Sequence, residues 1–144
     1  VGEMTTISAI TIVVPGAASG PAFASDEPIS FWGGLDPNSG EIIDRRHPLS
    51  GHNIAGGILV IPNGRGSCSA SGVFLEAIRN RFGPAAIIIS RIDPIIGLGS
   101  ILGDELYGRP VPVLVVSEPD REKISTGDKV TISENGQIQV ETLI

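Results

Sequence analysis

Apolar residues come in short unbroken runs along this chain. Ile10-Thr-Ile-Val-Val14, Gly57-Ile-Leu-Val-Ile61, Ala85-Ala-Ile-Ile-Ile89 and Val111-Pro-Val-Leu-Val-Val116 are rich in β-branched residues and bounded by Gly or Pro. Such runs predict buried strands. Near the end the pattern changes to strict alternation, in Lys129-Val-Thr-Ile-Ser133 and again in Gln137-Ile-Gln-Val-Glu141. Glu134-Asn-Gly136 lies between these segments, and Asn-Gly favours the positive φ angles of a tight turn, so a hairpin is expected.

Helical spacing appears twice. Val73, Phe74, Ala77, Ile78 and Phe82 recur at three- and four-residue intervals, with Ser71 and Gly72 before them and Gly83-Pro84 after. Strand, Gly-rich turn, helix and strand in that order make a βαβ unit. A second, weaker helix is expected from about Pro94 to Leu106, softened by Gly97, Gly99 and Gly103. Residues 26–57 read as loop with one short strand near Glu41 to Ile43, and a segment that long and irregular inside a compact domain marks function or an interface. The expected fold class is α+β and β-rich: a closed or partly open β-barrel or sandwich with two to three helices, closed by the hairpin, in a single domain over 1–144.

The chain has 144 residues with 41% hydrophobic and 18% charged side chains and a positive mean hydropathy. That surface is sparsely charged for a free monomer, so part of it is expected to be covered by a partner. A net charge of −6 and no basic stripe argue against nucleic acid. No run approaches the ~18 apolar residues of a membrane span, and no secretory leader is recognisable. A soluble, cytoplasmic protein is expected. The single cysteine, Cys68, cannot form an internal disulfide, and no Cys/His cluster offers a complete metal site.

Chemistry concentrates in Asn63-Gly-Arg-Gly-Ser-Cys-Ser-Ala-Ser-Gly72, between a buried strand and an amphipathic helix. Unpaired N–H groups and partial positive charge at a helix N-terminus suit an anion such as a carboxylate or phosphate. The segment lacks the Lys-Ser/Thr of a P-loop, the GxGxxG fingerprint and the GxSxG elbow. The same pattern equally describes a capped turn with Ser69 or Ser71 as N-cap. Cys68 admits iron ligation or thiol chemistry, but reads more simply as a small semi-buried side chain. His47 and His52 lack a third ligand, and His47-Pro48 reads as fixing a turn. Phe31-Trp32 suits a core plug or a binding rim equally, and Asp93 reads as a helix-end charge.

Five collinear stretches resemble one family. Pro28-Ile-Ser-Phe-Trp-Gly-Gly34, Asp44-Arg-Arg-His-Pro-Leu-Ser-Gly51, Gly64-Arg-Gly-Ser-Cys-Ser69, Pro84-Ala-Ala-Ile-Ile-Ile89 and Glu105-Leu-Tyr-Gly-Arg-Pro110 are similar to the small-subunit or swivelling-domain segment of aconitase X proteins. The resemblance covers roughly Ser19 to Val116. It implies an aconitase domain 4-like, swivelling β/β/α domain that closes over a large catalytic subunit carrying iron or an iron-sulfur cluster, with no metal bound by this chain alone.

The wider superfamily carries a Gly-Ser-Ser-Arg loop whose first serine is the catalytic base. Gly66-Ser67-Cys68-Ser69 aligns with it, with Cys68 in place of the second serine and Ser69 in place of the arginine. The resemblance thus implies Ser67 as catalytic base. It implies Gly66, Cys68, Ser69, Ser71 and Arg65 as substrate-binding residues, in a hydro-lyase acting on a small hydroxy acid. Iron would polarise the leaving hydroxyl while Ser67 removes the proton beside the carboxylate. Losing the arginine fits a substrate with fewer carboxylates than citrate. Between the family's two reactions, Gly-Ser-Cys-Ser and Phe31-Trp32 favour cis-3-hydroxy-L-proline dehydration over mevalonate 5-phosphate dehydration, whose archaeal relatives tend to read Gly-Ser-Thr. The rival from another class is a non-catalytic binding or scaffold barrel.

Overall fold

The computed structural model describes residues 3–65 and 68–142, with the backbone only for 68–70. Eight strands form one mixed sheet: β1 (Met4–Ser8), β2 (Thr11–Val14), β3 (Ala18–Ala24), β4 (Ile58–Ile61), β5 (Ala86–Ile89), β6 (Val113–Val115), β7 (Lys129–Ile132) and β8 (Gln137–Glu141). Their order is β1-β8-β7-β3-β4-β5-β6-β2. β3, β4, β5 and β6 are parallel neighbours, and the other pairings are antiparallel. The edge strands β1 and β2 are consecutive in the chain, joined only through Ala9 and Ile10. Ala9 N–H donates to Gly136 O at 3.0 Å and Ile10 N–H to Val115 O at 2.7 Å, so the sheet curls on itself as a half-barrel.

The helices are α1 (Phe31–Gly34), α2 (Cys68–Arg79), α3 (Pro94–Tyr107) and α4 (Glu118–Arg121). Two of the four are single turns beyond the two or three helices expected. α2 and α3 are the crossovers from β4 to β5 and from β5 to β6, as parallel pairing requires.

Alternation along the parallel strands sorts side chains into two cores. Leu59, Ile61, Ile87, Ile89, Val113 and Val115 face the helices with Phe74, Ala77 and Ile78. Ile58, Val60, Ile88 and Leu114 face the other way, against Val130, Ile132, Ile138 and Val140 of the hairpin. The result is a β/β/α layering in which the three strands β4, β5 and β6 are buried on both faces. Fully burying each such Ile, Leu or Val contributes about 1.5–3 kcal/mol relative to leaving it exposed.

Several expectations need correction. Residues 41–43 make isolated bridges, Leu35 to Ile42 and Glu41 to Asn53, rather than a strand. Helix α2 begins at Cys68, so Ser69 and Ser71 lie inside its first turn and neither is the N-cap. Its other end stops short of Phe82: Arg81 takes φ 67°, and Phe82 N–H returns to Ala77 O at 2.9 Å, a left-handed helix stop filled by a non-glycine residue. In the hairpin only Gly136 has positive φ, at 85°. Ser133 N–H reaches Gln137 O at 2.9 Å and Gly136 N–H reaches Ser133 O at 3.0 Å. The loop therefore has three residues ending in a left-handed glycine, not a two-residue turn. No helix among the described residues is long and apolar enough to cross a membrane.

A buried arginine stitches the C-terminal edge of the parallel strands. Arg121 is 4% exposed. It donates to Glu118 Oε1 from Nε at 2.8 Å and from Nη2, and to Ser25 O and Asp26 Oδ1 from Nη1 at 3.0 and 3.2 Å. Ser90 Oγ donates to the other Glu118 oxygen at 2.8 Å. The exits of β3 and β5 are thereby tied to α4. Hydrogen bonds from Arg121, then from Ser90, hold the Glu118 carboxyl below its ordinary value. A lowered folded-state value means the stabilisation is present above about pH 4.3, the ordinary glutamate value, and is lost as pH falls through the folded one. Glu118→Gln should therefore flatten the loss of thermal stability below that pH, read by melting from pH 7 to 3.

Candidate functional site

Parallel strands place their C-terminal ends on one edge, where open α/β sheets bind ligands. At that edge Pro62 O accepts Ser90 N–H at 3.1 Å and Arg91 N–H at 3.0 Å, joining the exit of β4 to the exit of β5. Asn63 Nδ2 then donates to Gly64 O at 2.6 Å. Gly64 N–H donates to Asp93 Oδ2 at 2.7 Å, and Arg65 N–H donates to Ile29 O at 2.9 Å. A Cβ on Gly64 would stand 2.8 Å from Asp93 Oδ2 and 3.2 Å from Ile96 Cδ1. A side chain at this position would push aside the Asp93 carboxylate that holds the loop to α3.

Asp93 does double duty. Its Oδ1 accepts Ile95 N–H at 2.9 Å and Ile96 N–H at 3.2 Å, capping α3, while Oδ2 holds Gly64. Its helix-end role was legible from Asp93-Pro94, a cap followed by Pro in the first turn. The bond to Gly64 spans 29 residues, and no local signal in the chain announces it.

Of the residues singled out from sequence, Arg65 is exposed and fixed at its backbone. Gly66 and Ser67 lie outside the described residues. Cys68 and Ser69 open α2, and their side chains lie outside the described atoms. Ser71 is buried within the helix, at 9% exposure. No acidic side chain occupies the first turn of α2, so nothing there offsets the positive helix end.

Arg65 lines an open cleft of about 420 Å³ with Glu27, Pro28, Ser30, Asp44, Arg46 and His47. Among the described residues neither Arg46 nor Arg65 belongs to an ion pair. The cleft thus presents two guanidinium groups beside two carboxylates.

His47 supports this wall. Its Nδ1 accepts Leu49 N–H at 3.0 Å, so Nε2 carries the proton shared with Glu27 O at 3.1 Å. The turn-fixing reading holds, and both ring nitrogens are engaged. His52 instead packs edge-on to Phe23, with ring centroids 5.9 Å apart. Phe31 and Trp32 divide the two roles weighed for them. Phe31 is buried and stacked on Phe74 at 5.1 Å, whereas Trp32 is 66% exposed.

The described residues of this site do not fit a metal ion. Among the described residues no three His, Cys, Asp or Glu side chains converge.

The family model of the aconitase X swivel domain matches residues 7–141. Over 123 residues the chain is 46% identical to a protein of Hypocrea jecorina named cis-3-hydroxy-L-proline dehydratase, covering 85% of this chain and 21% of that protein. It is 43% identical over 100 residues to the phosphomevalonate dehydratase small subunit of Methanothermobacter thermautotrophicus, covering 69% of this chain and 76% of that one. The chain thus spans about a fifth of the fungal relative's length and most of the archaeal one's. The crystal structure of Thermococcus kodakaraensis aconitase X in its holo form superposes with a TM-score of 0.84 at 33% identity, covering 94% of this chain and 98% of that chain. Apart from the start of β1, the curled mixed sheet, the crossover helices and the glycine-rich loop all fall within the matched residues, and the chain belongs to the aconitase X swivel-domain family.

Proposed function

We propose that this chain is the swivelling domain of an aconitase X-type hydro-lyase, that it dehydrates cis-3-hydroxy-L-proline to a pyrroline-2-carboxylate together with a larger catalytic portion, and that Ser67 is its base. The observation that carries the reading is the loop from β4 to α2. It is pinned at Gly64 by Asp93 and at Arg65 by Ile29 O, immediately before the chain enters α2 at Cys68.

In this reading the Ser67 alkoxide takes the proton from the carbon bearing the carboxylate, the neighbouring carbon's bond to its hydroxyl breaks as hydroxide departs, a carbon–carbon double bond forms, and the proton passed on from Ser67 joins the hydroxide as the water released. A serine alkoxide is costly in water. First-turn N–H groups, the positive helix end and Arg65 lower that cost. Gly66 in the loop and Cys68, Ser69 and Ser71 in the first turn of α2 are the substrate-binding residues of this reading. An iron or iron-sulfur group finds no ligand set among the described residues, so the reading assigns it to the larger portion.

The cleft beside Arg65 favours the amino acid. Cis-3-hydroxy-L-proline is a zwitterion: its carboxylate suits Arg46 and Arg65, and its ammonium suits Glu27 and Asp44. Mevalonate 5-phosphate brings only negative charge, which the two carboxylates oppose. The similarity to an archaeal phosphomevalonate dehydratase small subunit keeps that substrate as the second reading.

Assembled with its larger portion, the enzyme should show kcat/KM at least ~10-fold higher for cis-3-hydroxy-L-proline, a factor of ten corresponding to about 1.4 kcal/mol. The 144-residue chain alone should turn over neither. Turnover confined to the phosphorylated acid would reverse the substrate assignment, and turnover of neither by the assembled protein would leave a binding barrel.

A further inference from the structure

Helix α3 is built inside out for a surface helix. Its buried residues are Ile96, Gly97, Gly99, Ser100 and Gly103, and all but Gly97 follow the i, i+3, i+4, i+7 spacing of one helical stripe. These small residues let the helix sink into its neighbours. A Cβ on Gly99 would stand 2.6 Å from Phe74 Cδ2, and one on Gly103 would stand 2.8 Å from Ile78 Cδ1. Ser100 Oγ donates to Val111 O. Bulky apolar side chains on the first two turns point the other way: Leu98 is 44% exposed and Ile101 48%, with Ile92 just before the helix at 68%. From Pro94 to Gly103 there is no charged residue.

A surface helix carries polar residues on its outer face, and a helix apolar all round is a buried one. Interior glycines destabilise a helix by about 0.8–1.0 kcal/mol each relative to Ala. Three of them, with large apolar groups turned outward, make sense if α3 is packed from both sides.

We infer that the Leu98–Ile101 face of α3 is where the larger portion of the aconitase X protein docks. The inference rests on the two-part reading above. Two observations select this occupant. The chain spans 21% of the fungal relative, so nearly four-fifths of that protein lies beyond the part that this domain matches. The apolar face also begins beside Asp93, whose carboxylate holds Gly64. A body covering the first turns of α3 therefore reaches the reaction loop as well, so one docking event would close the site and bury the helix.

The test uses the assembled enzyme carrying Ile101→Cys or, as reference, Glu134→Cys at the exposed tip of the hairpin. Maleimide alkylation of each peptide is followed by mass spectrometry. The introduced thiol at 101 should react at least ~10-fold more slowly than that at 134. Comparable rates in an assembled, active enzyme overturn the docking face while leaving the two-part reading intact. Failure to assemble any active enzyme sinks that reading itself. Protection of position 101 that develops with concentration in the chain alone, with a doubled mass, assigns the face to a second copy and likewise overturns the inference.

Discussion

Ser67→Ala in the assembled enzyme should lower kcat by at least ~100-fold, the lower end of what a positioned general base contributes. Substrate affinity and melting temperature should barely change, because a hydroxyl that acts only in the transition state adds little to ground-state binding. A structural role moves different observables. Were Ser67 no more than a cap for α2, its loss would cost about 1 kcal/mol of stability and leave turnover near normal. Ser69→Ala and Ser71→Ala are the comparisons: inside the first turn of α2, they should act on KM or on melting rather than on the proton-transfer step. Exchange of the substrate's α-proton with solvent should disappear in Ser67→Ala while the metal content of the larger portion is unchanged. Turnover like that of the unsubstituted enzyme would remove Ser67 as the base and, with it, the catalytic role assigned to this domain.

What the sequence discloses depends on how local the cause is. The strands at Ile58–Ile61 and Ala86–Ile89 are buried at every position, so continuous apolar runs report them directly. The β7–β8 hairpin is open to solvent on one face, so strict alternation reports it equally well. β3 escapes notice because it changes partners midway. Ala18 to Pro21 pair with β7 and Ala22 to Ala24 with β4, and Gly20-Pro21, poor strand formers, occupy the switch. β1 buries only Ile7 and gains its place from β8, more than a hundred residues away in the chain. The site divides the same way. A glycine- and serine-rich turn ahead of an amphipathic helix is visible in the letters, whereas the carboxylate that holds it comes from the far side of a βαβ unit.

Asp93 is where that hidden tie can be measured. Asp93→Ala removes the cap from Ile95 and Ile96, about 1 kcal/mol, and the charge-assisted bond to Gly64, about 1.5–3 kcal/mol. Stability should fall by roughly 2.5–4 kcal/mol. Turnover in the assembled enzyme should fall by about 10²-fold, because a reacting group displaced by ~1 Å loses that much. The two effects separate with other side chains. Asp93→Ser can still accept from the first turn of α3 but is too short to reach Gly64 as well. Asp93→Asn keeps an oxygen for the cap and turns an N–H donor toward the Gly64 N–H, where an acceptor is needed. Both should regain about 1 kcal/mol of melting stability relative to Asp93→Ala while kcat stays low and KM changes little. If turnover returns together with stability in either variant, Asp93 is a helix cap alone, and the Gly64 loop holds its position without it.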